Sequence, residues 1–442
     1  MNGKTWRLLR SWYKDAVCRV KIDGCLSKQF VVERGVKQGS ILSPTLFLIV
    51  MNPLLKQLES SKLGLSINDY YAGGFVHADD IRTLSSSVES MRAQVEIVKK
   101  FANKRHSKLN VDKCEVVEFI RNQSQVGCDV EVEGVKLSSN SEGKCLGFWW
   151  RRDLLATRAI EEGIKKARKA FFYYGSIGAF QGDLSPLSTK SVIETCVLPV
   201  VLYGAENWIM THTLIEKLNR FVGELAKRAL RWPKSHLNTA ALVTLNMESA
   251  ESRVLVTKLG FLRKKFQSDG VGVGAAVMGA LMDDVESMCL VKECREMEEV
   301  FGIDVVKDVL SDSKMIGMKE IKATVKRVDW ERLIRRCKEK APLIASVGDE
   351  KGWAKLWDKA LQLGHRHTRG LQNLTRLLSH HGRGEKPCPL CETLGTTTQG
   401  GVLNHVLRDH STAVGLKMDV AELLTHLKAA DINFVYAFWK LY

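Results

Sequence analysis

Residues 74–81 read Gly-Phe-Val-His-Ala-Asp-Asp-Ile, two adjacent acids at the end of an apolar run. The pattern over 72–86 predicts a β-hairpin with Asp79 and Asp80 at its tip. Neighbouring carboxylates repel each other unless a cation sits between them. In a straight strand the two would point to opposite faces, but a tight turn lets both face one ion. The pair says little alone, because Asp283-Asp284 is the same dipeptide where a helix start is the simpler reading. The meaning of Asp79-Asp80 has to come from its neighbours.

Upstream stands Gly35-Val-Lys-Gln-Gly-Ser-Ile-Leu-Ser-Pro-Thr-Leu-Phe47. Glycines at 35 and 39 let backbone approach a ligand closely, and Gln38 offers an amide to a base or sugar. Ser43-Pro44 launches a helix over 41–60 whose first N–H groups can face phosphate. By itself, a loop capping a helix is the plainer account. A short amphipathic helix is expected at 4–14 and a hairpin at 17–33 around Gly24. From Ser87 to about Lys104, the spacing of Val88, Met91, Val95, Val98 and Phe101 is helical. Strand-like segments follow at 114–120, 129–137 and 144–150.

After Asp153, an expected N-cap, the pattern turns helical, with Glu161→Lys165 and Glu162→Lys166 as supporting pairs. Helices are expected at 187–200, 212–232, 250–267, 285–345 and 353–380. Gly-rich 270–279 reads as a boundary and His380–Pro387 as a linker.

The chain has 442 residues, 45% hydrophobic and 26% charged, which excludes disorder as the main state and any collagen-like or low-complexity class. No apolar run approaches the ~18 residues of a membrane span, and the N-terminus lacks a secretory apolar region. A nuclear or cytoplasmic protein, not a secreted one, is expected. Net charge is +16, divided as +6 over residues 1–150, +8 over 151–270 and +2 over 271–442. Such a basic body suits a polyanion, although a solvated basic surface gives the same sum. The eleven cysteines are scattered and odd in number, so most are expected to be buried thiols without disulfides.

The order Gln38-Gly39-x-x-x-Ser43-Pro44-x-Leu-Phe47, then Asp79-Asp80 at a hairpin, resembles the palm of reverse transcriptases of non-LTR (LINE-type) retrotransposons. Further matches keep the order. Leu109-Asn110 with Lys113 resembles the next palm motif, Lys144-Cys-Leu146-Gly147-Phe148 the primer-grip turn, and Leu202-Tyr203-Gly204-Ala-Glu206-Asn-Trp208 the post-palm stretch. The resemblance implies an α+β fold: a partial palm of hairpins and helices over 1–150, an α-helical thumb and connector over 151–270, a helical region of unknown role over 271–380, and a small C-terminal unit over 381–442. It implies two-metal nucleotidyl transfer by an RNA-directed DNA polymerase, with Asp79 and Asp80 holding Mg²⁺. Gln38, Gly39, Ser43 and Lys113 would meet nucleotide or template, and Leu146 and Gly147 the primer end.

Two departures are visible. The family's aromatic residue two before Asp79 is His77, read as a half-buried strand residue rather than a metal ligand. The first catalytic Asp belongs to a motif upstream of everything here, as do the fingers, and Asp15 and Asp23 are no substitutes. An N-terminally truncated, inactive polymerase is therefore expected, with a non-catalytic nucleic-acid-binding remnant as the alternative.

Two further clusters complete the reading. Residues 151–174 gather cations with Phe171, Phe172, Tyr173 and Tyr174. Lys165, Lys166, Arg168 and Lys169 are candidates for contact with the backbone of an RNA template or RNA–DNA duplex, the aromatics with the core. Cys388-x₂-Cys391-x₁₃-His405-x₄-His410 has the spacing of a structural Zn²⁺ finger.

Overall fold

The Asp23-Gly24 turn decides the first hairpin. Both residues lie in the left-handed region, φ 48° and 85°, which an Asp-Gly pair tolerates in a two-residue hairpin turn. The turn joins Lys21–Ile22 to Cys25–Leu26, and pairing continues outward as Val17↔Val31 and Cys18↔Phe30. The computed structural model describes residues 3–32, 35–67, 70–119, 129–179, 184–266, 289–310, 317–347, 350–379, 403, 405–407, 418–429 and 433–438. The Gly-rich 270–279 and the linker 380–387 lie outside them. Two units divide the chain, residues 1–114 with 128–138 and residues 115–127 with 139–442.

In the first unit, helix Lys4–Tyr13 buries no residue. Helix Ser43–Ser60 has proline in its first turn, and helix Val88–Lys104 starts where the Ser87 hydroxyl accepts from the Ser90 N–H at 3.2 Å. Met51, Leu54 and Leu58 of the former meet Val98 and Phe101 of the latter, and Val76 and Ile81 of the acidic hairpin pack on them. Buried Gln94 ties helix to hairpin, donating to the Gly73 carbonyl at 2.8 Å and the Tyr71 hydroxyl at 3.1 Å.

The strand-like stretch 129–137 is two strands, Asp129–Val132 and Val135–Asn140, folded at Glu133-Gly134. Likewise 144–150 is not one strand but most of a hairpin, Glu142–Cys145 with Phe148–Arg151, folded at Leu146-Gly147. In both turns a non-glycine residue takes positive φ just before a glycine, a signal weaker than Asn-Gly or Asp-Gly. The 114–120 segment contributes only Val116–Val117, paired parallel with Ser139 and Asn140 in the second unit.

The second unit is helical over most of its described length. One apolar cluster runs from Ile160 and Phe171 through Trp208, Phe221 and Leu255 to Trp330, Trp353 and Phe438, so residues on both sides of 270 share a core. The Trp353 and Trp357 indoles donate to the Ile344 and Thr244 carbonyls at 3.3 and 2.8 Å, as buried indoles require. Helix Asn238–Leu245 was not expected, because Ala240 to Leu245 are all buried and leave no amphipathic period.

Three local expectations are corrected. Asp153 is not the N-cap of the basic helix, which spans Thr157–Tyr174 behind Ala156. Its carboxylate instead holds Arg151 at 2.9 and 3.1 Å and accepts the Leu155 N–H at 3.0 Å, closing the turn before the helix. Glu161 pairs with Lys217 at 2.7 Å and Glu162 with Lys165 at 2.9 Å, because Lys217 on the neighbouring helix reaches Glu161. Of the eight described cysteines, all free, only Cys294 and Cys337 are buried.

Candidate metal and nucleic-acid sites

The acidic hairpin pairs Gly74–His77 with Asp80–Thr83, setting His77 opposite Asp80. Its turn is Ala78-Asp79, with Ala78 at φ 53°. An alanine rarely adopts this conformation, and such strain gathers at functional sites. Val76 and Ile81 face the helices, so the alternation leaves the tip in solvent with Asp79 and Asp80 both exposed. His77 is exposed as well, not half-buried, because it lies on the strand face turned away from the helices. An Asp80 carboxylate oxygen lies 3.8 Å from the Arg82 guanidinium, a half-exposed pair of small energetic weight. Among the described residues no group of three or more His, Cys, Asp or Glu side chains gathers into a metal cluster. The tip therefore offers two carboxylates.

The 35–42 loop precedes the helix that supports this hairpin. Gly35 and Gly39 take φ 97° and 82°, and Gln38 and Gly39 are exposed. Ser43 differs from its expected role. It is buried and its hydroxyl donates to the Lys37 carbonyl, so it closes the loop and does not reach outward. Lys113 ends a short 3₁₀ turn, Val111–Lys113, and is exposed.

In the second unit, Leu146 and Gly147 form the tip of their hairpin at φ 49° and 82°. At Trp149 of the same hairpin, the Arg158 guanidinium and the Lys144 ammonium each lie over the ring, 5.0 and 5.9 Å from its centroid, favourable cation–π contacts. On the basic helix Lys165, Lys166, Arg168 and Lys169 are all exposed. Lys165 is held by Glu162 at 2.9 Å and Arg168 by Glu224 at 3.6 Å. Lys166 and Lys169 have no ion-pair or hydrogen-bond partner among the described residues. Phe171 is core, but Phe172 and Tyr173 stand in solvent, so the aromatic run divides.

Of the finger residues, Cys388, Cys391 and His410 lie outside the described residues, while His405 begins the helical stretch 405–407 and is half-buried. Sequence reasoning passed over the Tyr203 side chain. Its hydroxyl donates to the Leu146 carbonyl at 2.8 Å, a contact without local signature.

Residues 1–150 match the family described as reverse transcriptase (RNA-dependent DNA polymerase). That segment is of the reverse-transcriptase class. Its relatives narrow the class. Over 236 residues, 52% of this chain and 25% of the relative, the chain is 25% identical to the RNA-directed DNA polymerase from mobile element jockey of Drosophila funebris. It is 35% identical over 108 residues, 24% of this chain and 10% of the relative, to the Pol polyprotein of the type-2 retrotransposable element R2DM of Drosophila melanogaster. A third match, 25% over 220 residues, covers 49% of this chain and 30% of the Pol polyprotein of the type-1 element R2 of Popillia japonica. Residues 1–150 thus match the reverse-transcriptase family, and the chain is similar to the reverse transcriptases of non-LTR retrotransposons, its matches spanning a tenth to three tenths of these relatives' length.

Proposed function

We propose that this chain supplies the metal-bearing hairpin and the duplex-contacting helix of a retrotransposon RNA-directed DNA polymerase, and that on its own it binds nucleic acid without extending a primer. The observation that carries the reading is the hairpin tip, where a two-residue turn on a helix-backed base exposes Asp79 and Asp80 together. Exposed carboxylate oxygens fit Mg²⁺, which is commonly held by one or two carboxylates and keeps several waters. Asp79 and Asp80 would hold it, and the ion would offset charge on phosphoryl oxygens. Gln38 and Gly39 would face template or nucleotide, and Lys113 a phosphate. Two carboxylates are too few for the pair of ions that nucleotidyl transfer uses, which supports the binding-only reading of this chain by itself.

The proposed organisation remains palm over 1–150, thumb and connector over 151–270, a helical region over 271–380 and a zinc-finger-like unit over 381–442. Structural Zn²⁺ would sit on Cys388, Cys391, His405 and His410, supported by their spacing. The partners are an RNA template and an RNA–DNA duplex, met in the nucleus or cytoplasm.

The test is primer extension on an RNA template with Mg²⁺ or Mn²⁺, beside hybrid binding at several salt concentrations. We expect no product above an Asp79→Ala, Asp80→Ala control, and binding that weakens steeply with salt. Template-dependent product above that control would make the chain an enzyme in its own right. For zinc, Cys391→Ser should abolish metal content measured on the purified chain and His381→Ala should preserve it. Full occupancy in the first variant would place the metal elsewhere.

A further inference from the structure

Helix Thr157–Tyr174 exposes six residues, and they are of two kinds. Four are the cations Lys165, Lys166, Arg168 and Lys169, and two are the rings of Phe172 and Tyr173, 57% and 62% exposed. No acid stands among residues 163–176. Rings left open to water forgo the free energy of burial, and this helix has a core to turn them toward. Each outer ring is instead braced by an inner neighbour. Phe172 lies 5.8 Å from buried Phe171, and Tyr173 lies 5.5 Å from half-buried Tyr174, both pairs close to perpendicular, a favoured edge-to-face packing. The Arg228 guanidinium, from helix His212–Ala229, lies over the Phe171 and Phe172 rings at 5.6 and 5.5 Å. Lys169 precedes Phe172 by three residues and Tyr173 by four, so it neighbours both rings on the helix surface. It has no ion-pair or hydrogen-bond partner among the described residues. The setting narrows the occupant. A lipid surface or a protein interface needs a continuous apolar face, whereas these two rings are bordered by cations. The charge calls for a polyanion. Bases in a duplex hide their faces in the stack, so only unpaired bases have faces to offer a ring.

Resting on the nucleic-acid reading above, we propose that Phe172 and Tyr173 form a stacking platform for single-stranded nucleic acid, with Lys169 and Arg228 meeting its phosphates. Unpaired bases lie on the two rings, which their inner neighbours already hold in place, so little side-chain freedom is lost on binding. The platform reads no sequence, because every base has a π-face. It is distinct from contact along a duplex, which uses the cations without the rings.

The full chain is titrated at one salt concentration with three ligands of equal length: an oligothymidylate carrying one 2-aminopurine, an abasic deoxyribose-phosphate strand, and a blunt RNA–DNA hybrid. The wild type should bind the base-bearing strand about tenfold more tightly than the abasic one. Phe172→Leu with Tyr173→Leu should erase that preference, leaving hybrid affinity and the melting temperature unchanged. Tyr173→Phe keeps a ring and should keep the preference. The 2-aminopurine should lose fluorescence on the wild type, as a stacked base does, and hold it on the double variant. Equal wild-type affinity for the two strands, or a preference and quenching that survive in the double variant, would overturn the platform while the nucleic-acid reading stands. Tighter binding of wild type than of the double variant to phosphatidylserine vesicles, with no strand preference, would assign the rings to a lipid surface instead. A wild type that binds none of the three nucleic-acid ligands would overturn both readings.

Discussion

Trp6 and Trp12 stand in water, whereas Trp208, Trp353 and Trp357 are sealed in a core. The contrast extends to the units that contain them. The first unit packs its two long helices and acidic hairpin around five buried residues, Met51, Leu54, Leu58, Val98 and Phe101, and its first helix and hairpin bury nothing. The second draws on most of its helices for one cluster. The acidic hairpin and the Gln38-Gly39 loop thus sit on the scaffold with the smaller core. Many of its apolar side chains, Trp6, Trp12, Ile22 and Ile41 among them, stay exposed. The tryptophan-rich region builds its own interior.

Hydrogen exchange should show this contrast most strongly. Amides of Lys4–Tyr13 and the 17–31 hairpin should exchange at nearly unprotected rates, and those within His212–Ala229 and Ala250–Phe266 at least about a thousandfold more slowly. Equal protection in the two regions would show that the first hairpin is stabilised by something other than its own burial.

The next effect lies inside the large core. Lys258 is 1% exposed. Its ammonium donates to the Trp208 carbonyl and lies 3.9 Å from Glu293, whose carboxylate accepts the Met210 N–H at 3.1 Å. Burial pushes the lysine amine down and the Glu293 carboxyl up from their ordinary ranges. Lys258→Met removes the cation and leaves two acceptors unmet, which should cost about 3 kcal/mol in denaturant unfolding. Lys258→Met with Glu293→Gln should recover part of that. A single variant as stable as wild type would mean that this interior tolerates an unpaired charge.

How much of this could be read in the chain follows from the range of the interactions. The Ser43-Pro44 start, the Ser87 cap and the Asp23-Gly24 turn act within four residues, and all were legible. The order of the palm motifs was legible too, and the family match bears out the relationship. Glu133-Gly134 was missed because glutamate is not a habitual turn former, and the Leu146-Gly147 turn was legible only through the family resemblance. Helix 238–245 was hidden by being apolar all round. The burial of Ser43, the Glu161–Lys217 pair and the Tyr203 hydrogen bond depend on contacts beyond their local sequence pattern.

A smaller effect depends on acidity. Glu298 is buried and accepts the Val305 and Val306 N–H groups at 2.8 Å each. Burial pushes its carboxyl up to about 7 despite these bonds. Because its folded value lies above the ordinary carboxylate range, the folded state holds this proton more tightly than the unfolded one. Its stabilising contribution is present at about pH 4 and is lost as pH rises toward 7. Between pH 5 and 7.5 the wild type should lose on the order of 1–2 kcal/mol relative to Glu298→Gln, measured by urea midpoint. Parallel pH profiles would show that the carboxyl is ionised throughout.

The smallest effect asks which unit touches nucleic acid. Each cation that displaces a counterion from phosphate contributes up to about one unit to the slope of log affinity against log salt. Lys166 and Lys169 are unpaired, whereas Lys165 and Arg168 already face Glu162 and Glu224. Lys166→Gln with Lys169→Gln should therefore lower the slope by one to two units. Lys165→Gln with Arg168→Gln should lower it by less, because their charge is partly met before any phosphate arrives. Lys113→Gln, on the first unit, provides the comparison. If it alone flattens the slope, the polyanion is held by the scaffold with the smaller core, and the basic helix is a solvated face. If the Lys166 and Lys169 pair dominates, the unit with the larger core bears most of the grip, and the acidic hairpin contributes its carboxylates without contributing much affinity.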